Sequence, residues 1–65
     1  MERTAWEIID ELEKKYANDK EALDTVEMAK LNVRYIEKEE KKGNYKGQSA
    51  VENALECEAF LQTWY

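Results

Sequence analysis

Histidine is absent from the 65 residues, which removes the commonest general base and the commonest metal ligand near neutral pH. Carboxylates and one thiol remain. Carboxylates recur four residues apart as Glu7 with Glu11 and as Glu52 with Glu56, a spacing that puts each pair on one side of a helix. A helical dimetal centre would want Glu-x-x-His pairs projecting into a core, so both pairs are expected to look outward into water. No metal and no cofactor is expected. Cys57 is the only cysteine; it can form no internal disulfide and, without other soft ligands, no structural zinc site. Its place on an apolar helical seam predicts a buried structural thiol rather than a reactive one. The chain carries neither a glycine-rich phosphate loop nor a serine nucleophile elbow. It is therefore expected to bind rather than catalyse.

Two groups of residues have types suited to recognition. In the string from Lys38 to Gly47, Tyr45 stands among lysines, a combination able to contact phosphate and stack on a base. Glu39 and Glu40 interrupt the positive charge, which favours a plain helix end with a solubilising loop and makes direct nucleic-acid binding unexpected. At the C-terminus, Phe60, Trp64 and Tyr65 bring together aromatic side chains of the kind enriched in binding hot spots. Trp64 continues an apolar seam and is expected to pack inward, whereas Tyr65 has no such assignment.

The elements that position these residues follow from helical periodicity. Thr4 with Glu7 has capping-box spacing, and Ala5, Ile9, Leu12 and Tyr16, widened by Ile8, form one apolar face, predicting a helix over 4–17. Asn18 and Asp19 are good N-cap residues, with Asn18 and Glu21 again at capping-box spacing. The stripe also changes phase here: from Tyr16 to Ala22 is six residues, a step no straight helix keeps on one face. A tight turn and a second helix over 19–42 follow, although one continuous helix from Thr4 to Lys42 is the alternative. Ala22, Val26, Ala29, Val33 and Ile36 form its seam at steps of four and three. Lys38, Lys41 and Lys42 suit its C-terminal dipole, and Gly43 can close it in the left-handed conformation. The loop 43–47 is framed by the only two glycines. Ser49 with Glu52 then opens a third helix over 49–65, with Ala50, Ala54, Cys57, Leu61 and Trp64 as its seam. The expected fold is all-α in a single domain: a small three-helix bundle, or a helical hairpin with a third helix, completed by dimerisation.

The second helix has one feature that a simple bundle does not use. At about 100° per residue, Met28, Leu31 and Tyr35 fall about 180–240° away from the seam. An apolar back stripe of this kind usually marks an interface. Three uses are open. The first and third helices could lie on opposite sides of the second as an open layer; two copies could bury the stripe against each other as a homodimer; or the stripe could dock a different protein. So short a chain usually needs a disulfide, a metal or a second subunit as a staple, and the residue types leave oligomerisation.

Fifteen acidic against ten basic residues give a net charge of −5, which opposes nonspecific contact with nucleic-acid phosphates or anionic lipid. Residues 1–19 carry a net charge of −3, 20–42 are neutral and 43–65 carry −2. The N-terminus does not read as a secretory signal, and no apolar run exceeds the three residues Ala59-Phe60-Leu61, far short of a membrane span. A cytoplasmic location is expected. These properties fit a small acidic helical adaptor or inhibitor that docks on a partner protein, of the kind phages and mobile elements encode. The alternatives are a structural homo-oligomer or an acidic decoy that imitates a nucleic-acid backbone. The decoy reading rests on Glu7, Asp10, Glu11 and Glu13, which line the outer face of the first helix. Candidate interface residues are Met28, Leu31, Tyr35, Tyr45, Phe60, Trp64 and Tyr65.

Overall fold

The computed structural model describes residues 3–43 and 45–64, Trp64 by its backbone alone. Its elements are three helices, α1 (Ala5–Lys15), α2 (Lys20–Lys41) and α3 (Ala50–Trp64). Each boundary has a local cause. Thr4 accepts the Glu7 N–H at 3.1 Å on its hydroxyl while the Glu7 carboxylate accepts the Thr4 N–H at 3.0 Å, completing the capping box that starts α1. The helix closes at Tyr16, whose N–H reaches the Leu12 carbonyl.

The break between α1 and α2 falls where the apolar stripe changes phase, so the two are separate helices. Asp19 rather than Asn18 is the N-cap, accepting the Ala22 N–H at 3.1 Å. Both residues have capping chemistry; Asp19 holds the position because the chain has already turned through the Asp19 N–H to Tyr16 carbonyl bond of 2.9 Å. At the other end of α2, Gly43 has φ +79°, the left-handed region in which a Cβ is penalised. Ser49 accepts the Glu52 N–H at 3.1 Å and starts α3.

Every helix packs against both others. The open-layer arrangement, with α1 and α3 held apart by α2, is thus not the one adopted: the seams of all three helices converge on a single core. Ala5, Ile8, Ile9 and Leu12 enter it from α1, Ala22, Val26, Ala29, Val33 and Ile36 from α2, and Ala50, Ala54, Cys57 and Leu61 from α3. Among the described residues five of these thirteen buried positions are alanines, the smallest apolar side chain, and Trp6, Tyr16, Tyr45 and Val51 pack against the cluster from its edge. At 1.5 Å per residue α2 is about 33 Å long, twice the length of α1. That long helix accounts for the elongated outline of 38 × 25 × 18 Å.

Polar contacts fix the helices around the core. The Trp6 indole N–H of α1 donates to the Glu37 carboxylate of α2 at 2.8 Å, and the Arg34 guanidinium lies 5.9 Å from the centre of the same ring. Further along, Lys30 of α2 bridges Glu13 of α1 and Glu27 of its own helix. Arg3 joins Glu11 of α1 to Glu58 of α3.

Candidate functional site

The second apolar stripe of α2 is exposed. Met28 is 63%, Leu31 59% and Tyr35 61% accessible, while the opposite seam residues of the same helix are all buried. At its Met28 end the stripe borders α3. Met28 and Phe60, itself 56% exposed, flank an open groove of about 280 Å³ between the two helices, lined also by Thr25, Asn32, Asn53 and Glu56. Tyr35 and Tyr45 border a second recess with Glu39 and Lys46. Folding therefore brings Met28 and Phe60 together over one groove and Tyr35 and Tyr45 over another, with Leu31 between Met28 and Tyr35 along α2.

Tyr45 differs from its expected place. It is partly buried and packed against the core rather than standing free among lysines. Its ring lies so close to Gly47 that a Cβ there would meet the tyrosine hydroxyl at 2.6 Å. The loop folds back because the ring has apolar surface to bury, and Gly47 leaves room for it. Tyr65 and the side chain of Trp64 lie outside the described residues.

No family model, curated protein or solved structure matches this chain.

The remaining chemistry-bearing side chains are largely engaged with their own neighbours. On α1, Glu7 is held in the capping box, Asp10 pairs with Lys14 at 3.1 Å, Glu11 with Arg3 and Glu13 with Lys30. The acidic outer face expected of a nucleic-acid mimic thus has its charges met within the fold. The Thr4 backbone N–H, and after it the Thr4 hydroxyl, hold the Glu7 carboxyl below its ordinary value. Lys30 is raised by its bonds to Glu13 and Glu27, and Arg3 is raised by Glu58 and Glu11. These shifts favour the charged forms, the opposite of what a proton-transferring group needs.

Of the two spaced carboxylate pairs, Glu7 and Glu11 turn to different partners, and in the second pair Glu56 accepts from the Gln48 amide. Among the described residues no cluster of three acidic or cysteine side chains is arranged to hold a metal ion. Cys57 is buried on the α3 seam, and burial, followed by the charge of Glu58, raises its thiol. Among the described residues no helix is long and apolar enough to cross a membrane.

Sequence reasoning missed Trp6. It departs from the α1 seam, so periodicity gave it no role, yet it joins α1 to the Arg34 and Glu37 turn of α2. Spacing within one helix carries no signal for such a contact, which depends on how two helices cross.

Proposed function

We propose that this chain is a small protein-interaction domain that acts by docking, and that its working surface is the flank where α2 meets α3. One observation carries the reading. Among the described residues, four of the five exposed large apolar side chains, Met28, Leu31, Tyr35 and Phe60, lie along the outer stripe of α2 and the adjoining edge of α3. The fifth is Leu55.

Scattered apolar side chains are normal on a protein surface, but a contiguous group with a polar surround is the usual mark of an interface. The residue types support that use. Methionine adapts its shape to a partner, and aromatic rings bring large contact area at small entropic cost. The acidic surface of α1, already compensated by Arg3, Lys14 and Lys30, offers much less to a basic groove.

The test is site-specific photocrosslinking in cells that produce the protein, with a benzoylphenylalanine in place of Leu31 or Phe60 and, as control, in place of Lys14. Lys14 lies on α1 with its side chain 78% exposed. A discrete adduct from positions 31 and 60, absent from position 14, is the expected result. No adduct from either flank position, or the same adducts from all three, would overturn the reading.

A further inference from the structure

The outer stripe of α2 has an ordered charge pattern as well as exposed apolar residues. Asp24, Met28, Leu31, Tyr35, Lys38 and Lys42 follow one another at steps of four, three, four, three and four, and all six are exposed. This is the heptad spacing that keeps one face of a helix against a partner helix along its length. The three central residues are apolar, an acid precedes them and two lysines follow. Asp24 and Lys38 join none of the ion pairs among the described residues, and Lys42 pairs only with Glu39, one turn away at 3.3 Å.

We propose that this stripe pairs with the same stripe of a second copy, α2 against α2, in antiparallel orientation. The inference rests on reading the flank as an interface and names its occupant. The charge order sets the direction. An antiparallel pair brings Asp24 of each copy towards the Lys38 and Lys42 end of the other, and two-fold symmetry repeats the contact. A parallel pair would place Asp24 beside Asp24 and Lys38 beside Lys38, and would align the two helix dipoles.

The core gives a second, independent reason. Among the described residues alanine fills five of the thirteen buried positions, so much of the core is built from the smallest apolar side chain, and chains below about 70 residues generally draw on a disulfide, a metal or a second subunit. A single cysteine and no histidine leave the second subunit as the available means. Pairing through Met28, Leu31 and Tyr35 supplies the missing burial from side chains that a lone copy leaves in water.

The purified chain is to be followed by sedimentation equilibrium over a concentration series, with helicity checked by circular dichroism. A dimer is expected. Leu31→Glu, or Tyr35→Glu as a second choice, should weaken it by about a hundredfold, because a carboxylate would have to be desolvated in the seam. Asp24→Lys alone and Lys38→Asp alone should each weaken the dimer by about tenfold, while the two together should restore it to within about threefold of the original. If Leu31→Glu and Tyr35→Glu lose their helicity, the three charge variants decide the matter, since exposed positions 24 and 38 leave the core intact. A monomer at every concentration overturns the proposal, as does a dimer indifferent to both seam variants, or a double charge reversal no tighter than the single ones. A monomer whose position 31 still crosslinks to another protein refutes the second copy alone; a monomer without adducts refutes the interface as well.

Discussion

Two leucines in this chain have opposite environments, and their truncation tests the packing directly. Leu61 is 0% exposed within the three-helix core, whereas Leu31 is 59% exposed on the outer stripe of α2. Leu61→Ala removes three carbons, worth about 2.4 kcal/mol of transfer free energy at about 0.8 per methylene. The cavity left behind adds to this, giving about 3–4 kcal/mol within the usual range for such changes. A chain of this size is held by only about 3–10 kcal/mol, so a third or more of its stability should disappear. The midpoint of thermal unfolding should fall by at least about 12 °C at 4–8 °C per kcal/mol.

Urea unfolding followed by far-ultraviolet circular dichroism measures the loss, with an unchanged slope showing that the same cooperative unit unfolds. At the lowest workable concentration, where the single copy prevails, Leu31→Ala should change stability by less than about 0.5 kcal/mol. As concentration rises, the same variant should fall behind the parent protein, because mass action adds association to the stability of the parent alone. A loss below about 1 kcal/mol for Leu61→Ala, or a dilute Leu31→Ala as damaging as Leu61→Ala, would refute the assignment of inner and outer faces.

Three further outcomes follow from local geometry. Thr4→Ala should cost about 1 kcal/mol in urea titrations through loss of the capping box. Because Thr4 holds folded Glu7 below its ordinary 4.5, that contribution is complete above the unfolded value and vanishes as pH falls through the folded one; Glu7→Gln should therefore lower the melting temperature at neutral pH and leave it nearly unchanged at about pH 2. Gly43→Ala should destabilise by about 1 kcal/mol in the same urea titrations, since φ is +79° there and a Cβ is penalised in that region. Cys57 should react with a thiol reagent only at the rate of unfolding, and its raised thiol makes stability decline as pH climbs beyond the 9.0 of a free thiol. Rapid labelling of the folded chain would show that the α3 seam is open.

What could be read from the sequence is what short-range chemistry fixes. Periodicity identified all thirteen core positions found among the described residues because each helix buries one stripe, and the phase change between Tyr16 and Ala22 located the α1–α2 break. Thr4 and Ser49 were legible as caps because a hydroxyl three residues ahead of an acid has a defined local partner. Asp19 displaced Asn18 because two adjacent residues had the same capacity and only the path of the turn separates them. The exposure of Met28, Leu31 and Tyr35 could be anticipated, but the approach of Met28 to Phe60 of α3 could not, since it depends on which side of α2 the third helix occupies. The same limitation hid the Trp6 contact with Glu37 and left Tyr45 on the surface when it in fact covers the core edge.

The alanines of the core also bear on how this sequence can change over time. Ala22 and Ala54 have no accessible surface, and each lies on the seam that its helix turns towards the other two. Even one added methylene would force the helices apart, at about 1–3 kcal/mol for overpacking. In diverging lineages these sites should admit only alanine, glycine or serine, while exposed Ala17 and Ala59 drift freely. Alanine, ordinarily the most replaceable of residues, would then be among the slowest to be replaced here, and a relative could be traced by the register of its smallest side chains when its larger ones have all turned over.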